Sequence, residues 1–190
     1  MPLYIHFHGG GGYAGKAEYE IPLLSKLASE NRIACVSVSY RLAPEFEYPA
    51  GHNDAKAAIE YFLDNSEKHG YDSNKISIGG PSAGGWITMG TSILLSRERE
   101  NLKNLDKIKL MILTQPMLGS AVNNERPFEQ LHLWEQKIWL VTQKSGAPFK
   151  NMLSKDFETD RSDPVFVPFD LSIEEMKNLP KCVLATSEFD

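Results

Sequence analysis

Two hydrophobic rhythms alternate along the chain. Leu3-Tyr4-Ile5-His6-Phe7 is a short apolar run broken by His8-Gly9-Gly10-Gly11-Gly12, which predicts a strand entering a flexible loop. From Ile21 to Asn31, Leu23, Leu24, Leu27 and Ala28 recur at helical spacing. Ile33 to Ser39 predicts a second strand, apolar enough for burial on both faces, and Tyr40-Arg41-Leu42-Ala43-Pro44-Glu45 opens a loop. Ala55, Ala58, Ile59, Phe62 and Leu63 form one helical stripe, with Asn53 or Asp54 as its expected cap and Gly70 as its stop. Lys75 to Gly79 predicts a third strand, Ala83 to Leu95 a helix whose apolar side includes Trp86, Ile87, Ile93 and Leu94, and Leu110 to Thr114 a fourth strand. The charged stretch Arg97 to Lys107 between them is expected to be solvated.

The resulting order β-α-β-α-β-α-β favours an α/β fold, a parallel sheet with helices on both faces. After Gln115-Pro116 the rhythm breaks. One helix is expected around Leu133 to Gln143, a capping box at Ser172-x-x-Glu175, and a fifth strand at Cys182 to Thr186. The chain therefore divides into a core over 1–118, an inserted lid over 119–178, and a return to the core over 179–190. It starts at a strand and stops directly after one, so both termini are expected to be incomplete and the chain part of a longer protein.

The chemistry concentrates between the third strand and its helix. Gly80-x-Ser82-x-Gly84 in a strand–turn–helix setting predicts a nucleophile elbow, a tight turn that exposes a serine hydroxyl at a helix head. Glycine is required on both sides because the turn crowds backbone against backbone. The plain alternative is a Gly-rich turn that happens to contain a serine. His8-Gly9-Gly10-Gly11, directly after the first strand, matches an oxyanion loop whose N–H groups point at a substrate carbonyl. Its alternatives are a flexible turn or an anion-binding nest. It is not a Walker loop, and it does not fit the dinucleotide fingerprint.

Composition narrows the field little. The 190 residues suit one domain, and a net charge of −5 without basic runs argues against nucleic acid. Cys35 and Cys182 lie in apolar runs and are expected to be buried thiols; their spacing does not suggest a disulfide. No signal peptide or apolar stretch of bilayer length occurs. A cytoplasmic location is favoured from this chain alone, with an endoplasmic-reticulum anchor open in a preceding segment. Asp160 and Asp163 lack the further ligands of a metal site, so no metal and no cofactor is expected. Trp134 and Trp139 read as lid packing or acyl-pocket lining, and Glu98 to Glu100 as a solvated helix end.

In combination, His8-Gly9-Gly10-Gly11, Tyr40-Arg41-Leu42-Ala43-Pro44-Glu45 and Gly80-Pro81-Ser82-Ala83-Gly84-Gly85 resemble the hormone-sensitive-lipase-like esterases of the α/β-hydrolase fold, the arylacetamide-deacetylase-like group among them. The tail from Leu179-Pro180 to Asp190 also looks like that family's strand leading to its triad acid. The resemblance implies Ser82 as nucleophile, Asp190 as the triad acid, and Gly9, Gly10 and Ala83 as oxyanion-hole donors. His8 would anchor the loop, with Gly11, Gly80 and Gly84 supporting the motifs. An ordinary loop aspartate remains the alternative for Asp190.

The implied reaction is acyl transfer from a small or medium ester through an acyl-serine, each oxyanion donor being worth ~3 kcal/mol of barrier. Two departures stand out. Pro81 occupies the position before the nucleophile, where the family carries a polar or acidic residue. The triad histidine is expected beyond Asp190, since the order in this fold is Ser, acid, His, and none of His6, His8, His52, His69 and His132 fits. Hydrolysis by this chain is therefore expected to be residual at most. The competing class is a small-molecule receptor on the same fold. The partner expected in either case is a small molecule, with the oligomeric state open.

Overall fold

A computed structural model describes residues 1–98, 105–118 and 152–186. Five strands, β1 (Leu3–Phe7), β2 (Ala34–Val38), β3 (Ile76–Pro81), β4 (Ile108–Thr114) and β5 (Cys182–Ala185), form one parallel sheet in the order β2-β1-β3-β4-β5. The chain leaves β1 toward β2 on one side and returns to β3 on the other. The loops after β1 and β3 therefore part in opposite directions, and a crevice opens at the strands' C-terminal ends, where α/β sheets bind ligands.

Alternation along β1 sorts the two faces. Leu3, Ile5 and Phe7, with Ile76, Ile78, Met111 and Leu113 in register beside them, pack against α2 (Ala50–Asp64) and α4 (Ala83–Arg97) in the main core. Tyr4 and His6 face the other way, toward the side that carries α1 (Ile21–Asn31). The α2 stripe behaves as its spacing predicts: Ala55, Ile59 and Leu63 are fully buried. A single turn, α3 (Ser66–His69), follows, and Gly70 closes it in the left-handed conformation with its N–H on the Ser66 carbonyl.

Several expectations need correction. Helix α2 begins at Ala50 after Pro49, so neither Asn53 nor Asp54 caps it; the Asp54 carboxylate instead takes the backbone N–H and guanidinium of Arg41 at 2.7–3.0 Å. Strand β2 is an edge strand and half-buried, not covered on both faces. Strand β5 is the other edge and exposed along its length. Cys182 is therefore exposed and Cys35 half-buried, both thiols free and on opposite edges of the sheet. Within the charged stretch expected to be solvated, Leu105 joins the core, and Arg97 bonds Asp163 and Glu175.

Helix α4 is buried on nearly every side rather than along one stripe. The reason is the returning segment: Val165, Phe166 and Val167 are buried over it, and the Trp86 indole N–H donates to the Phe166 carbonyl at 2.8 Å. Two further turns, α5 (Phe157–Asp160) and α6 (Ile173–Met176), punctuate this segment. The latter carries the expected capping box, with both the Ser172 and the Glu175 bonds formed. The helix expected at Leu133 to Gln143, with Trp134, Trp139 and His132, lies outside the described residues, as do Glu100 and Asp190. No helix among the described residues is long and apolar enough to cross a membrane.

Candidate active site

Ser82 stands between the last residue of β3 and the first of α4, exposed, at φ 51° and ψ −118°. A non-glycine residue held there costs ~1–3 kcal/mol, which the surroundings must impose. They do so through the main chain. The Ser82 N–H donates to the Thr114 carbonyl at 2.9 Å, and the Ser82 carbonyl accepts from Trp86 at 3.2 Å and Met117 at 3.1 Å.

The turn fits only because Gly80 and Gly84 have no side chains. A methyl at Gly84 would stand 2.8 Å from the Phe7 carbonyl carbon and 2.9 Å from the His8 carbonyl oxygen, and one at Gly80 would meet Gly84 at 3.1 Å. Helix α4 thus starts in contact with the end of β1. That contact brings the glycine loop to the serine: the space beside the Gly9 Cα is filled by the Pro81 carbonyl oxygen at 3.3 Å and the Ser82 Cβ at 3.7 Å.

Pro81 ends β3, paired with Thr114. In a strand, N–H groups of neighbouring residues point to opposite sides. Ser82 donates to β4, so the missing N–H of Pro81 would face the β1 side. There the β1–β3 pairing has already ended at His6 and Gly79, so no ladder bond is lost.

The glycine loop is wound tightly. Gly10, Gly11 and Gly12 take φ values of 124°, 65° and 81°, and the Gly10 carbonyl accepts from Tyr13 and Ala14. Among the described residues, nothing accepts from the N–H groups of Gly9, Gly10 or Ala83. Ala83 is the first residue of α4, so its N–H also carries the positive end of the helix dipole. Of these, Gly9 packs against Ser82 and Ala83 follows it in the chain, so two residues with N–H groups unclaimed among the described residues adjoin the exposed hydroxyl.

His8 is buried, with Nδ1 2.7 Å from the Gly9 carbonyl, which requires the tautomer that donates from Nδ1. Its ring is thereby committed to the loop. The other described histidines are also engaged away from Ser82. His6 is 3% and His52 1% exposed, each with an orphaned Nε2, and burial pushes their pKa values down to about 4 and about 3. His69 sits on α3, 3.0 Å from the Tyr61 hydroxyl. Asp163 holds Tyr48 and Arg97 at 2.7 and 3.0 Å and is kept ionised by them, while Asp160 accepts from Ser154; no group of metal-ligating side chains occurs among the described residues.

Two supports of the site were not visible as such in the sequence. Gly15, at φ 103°, lies where a methyl would run into His8. Tyr40 donates its hydroxyl to the His8 carbonyl at 2.8 Å and stacks on the His8 ring at 4.4 Å. The signal for Tyr40 was its place two residues past β2, next to β1 in the sheet.

A family model described as the alpha/beta hydrolase fold matches residues 4–190. The arylesterase of Saccharolobus solfataricus is 31% identical over 188 residues, which cover 99% of this chain and 57% of that protein. Arylacetamide deacetylase of Bos taurus is 32% identical over 162 residues, covering 83% and 38%. The solved Pyrobaculum calidifontis esterase superposes with a TM-score of 0.81 at 27% identity, covering 100% of this chain and 58% of that one. The chain thus spans about half the length of the curated relatives it matches.

Proposed function

The chain belongs to the α/β-hydrolase family, in its hormone-sensitive-lipase-like branch, and from that premise we propose that it is built for serine carboxylic-ester hydrolysis. In this reading the Ser82 hydroxyl attacks the acyl carbon of a small or medium ester. The N–H groups of Gly9, Gly10 and Ala83 take up the charge that develops on the carbonyl oxygen, the alcohol leaves, and water releases the acyl group. Asp190 orients the base, and the lid over the ester is drawn from the stretch 119–178, apart from Val165 to Val167, which cover α4. The base itself is none of the described histidines, so turnover by the chain alone is expected to be slow. The observation that carries the reading is the approach of Gly9 to Ser82, 3.7 Å from a methyl position to Cβ, at a strained elbow.

The names of the relatives, an arylesterase, an arylacetamide deacetylase and an esterase, support the same class. The test is release of p-nitrophenol from short acyl esters by the chain and by Ser82→Ala. Turnover that survives the substitution overturns the assignment. A second reading, a receptor that binds the small molecule without turning it over, is favoured by the lack of an imidazole at Ser82 among the described residues. Binding of a short ester that persists unhydrolysed would select it.

A further inference from the structure

Tyr40 reaches the two loop amides by separate routes. Its hydroxyl donates to the His8 carbonyl at 2.8 Å, and its ring lies parallel to the His8 imidazole, 4.4 Å away at 13°. The side chain is buried, and burial pushes the phenol above its ordinary value, so the hydroxyl remains a donor wherever the chain is folded.

A trans peptide is planar, and its C=O and N–H point in opposite directions. Holding the His8 carbonyl therefore sets the direction of the Gly9 N–H. The same rule applies one peptide later. The His8 Nδ1 holds the Gly9 carbonyl at 2.7 Å, which sets the Gly10 N–H. The orientation of that imidazole is in turn fixed by the ring stacked on it. Glycine supplies no stiffness of its own: at positive φ the residues from Gly10 to Gly12 lose nothing by turning, so the loop needs an outside tether.

We propose that Tyr40 is the positioning residue for both oxyanion donors of the glycine loop, its hydroxyl aiming the Gly9 N–H through the His8 carbonyl and its ring aiming the Gly10 N–H through the His8 imidazole. The catalytic consequence rests on the reading of Ser82 as nucleophile; the geometric claim does not. Tyr40→Phe removes the hydroxyl and keeps the stack. Tyr71→Phe is the control, because Tyr71 also donates its hydroxyl to a backbone carbonyl, that of Phe62, far from the loop in sequence.

The readout is 15N relaxation of the Gly9 and Gly10 amides, taken with the unfolding midpoint. In the parent chain both amides are expected to be rigid, with order parameters of ~0.85; in Tyr40→Phe the Gly9 amide should fall to ~0.6 or below. Tyr71→Phe should lower the midpoint similarly and leave the loop rigid. Amides that stay rigid in Tyr40→Phe, or that are mobile already in the parent, overturn the proposal. Ester turnover is measured alongside. Tyr40→Phe should lower kcat ~10-fold, part of the ~10²-fold that loss of a whole donor costs, with KM within twofold. Turnover in the parent that Tyr40→Phe leaves unchanged overturns the positioning role. A parent with the expected loop behaviour whose turnover is the same in Ser82→Ala supports the Tyr40 geometry and overturns the hydrolase reading instead.

Discussion

Gly84→Ala puts the contact between β1 and α4 under direct test. The added methyl would stand 2.8 Å from the Phe7 carbonyl carbon and 2.9 Å from the His8 carbonyl oxygen. Both are backbone atoms at the mouth of the glycine loop, so neither can swing aside. Overpacking of this kind costs ~1–3 kcal/mol, and a clash with main chain belongs at or above the upper end. Alanine returns ~1 kcal/mol of helix propensity in α4, which leaves a net loss of about 2–3 kcal/mol.

The comparison is Gly70→Ala, where φ is 75° and nothing stands within 4 Å. That change carries only the left-handed strain of about 1–2 kcal/mol. Urea unfolding of the three proteins, with the slope held as a check on two-state behaviour, measures both losses. Gly84→Ala should lose more than Gly70→Ala, and it should also lose ester turnover, because the helix head and the loop must separate. A Gly84→Ala protein less destabilised than Gly70→Ala would show that α4 does not meet β1 as described.

Three further outcomes are expected. Ser82→Gly should raise stability by ~1 kcal/mol, because glycine occupies φ 51° without strain, while abolishing turnover; a loss of stability in urea unfolding would contradict the strained elbow. Acid should weaken the fold. His6 and His52 stay neutral when folded, with pKa values near 4 and 3, and take up protons when unfolded from the ordinary value of 6.5 downward. The unfolded state therefore binds more protons, and stability falls as pH drops from 6.5 toward 4; a flat profile across that window would contradict their burial. Trp86→Phe removes the indole donor and leaves the buried Phe166 carbonyl unpaired, so it should cost ~2 kcal/mol, and a change under ~0.5 kcal/mol by the same assay would contradict the account of the returning segment.

How much was legible follows from which signals are local. All five strands and helices α1, α2 and α4 could be placed from periodicity and Gly/Pro punctuation, since both act over a few residues. The elbow and the glycine loop were legible because each demands glycine at fixed offsets, and the backbone contacts around Gly80, Gly84 and Gly9 give the reason. Burial is less legible, because it depends on distant neighbours. Cys182 sits in an apolar run yet lies on an edge strand, and Val183 beside it is 51% exposed. Asp54 looks like a cap in sequence, but Arg41 from the loop after β2 claims its carboxylate. The close cover of α4 by Val165, Phe166 and Val167 comes from a segment some 70 residues downstream, which no local pattern announces. Tyr40 stands out in the sequence only as part of a motif, since its partner, the His8 carbonyl, is 32 residues away.

The central claim is that the Ser82 hydroxyl is a nucleophile facing the amides of the glycine loop. Peptide mapping by mass spectrometry, after treatment of the folded chain with a fluorophosphonate, tests it at the atom concerned. One adduct on the peptide that contains Ser82, absent from Ser82→Ala, is the result expected. A folded chain that carries no adduct there, or carries one on a different residue, would contradict the claim.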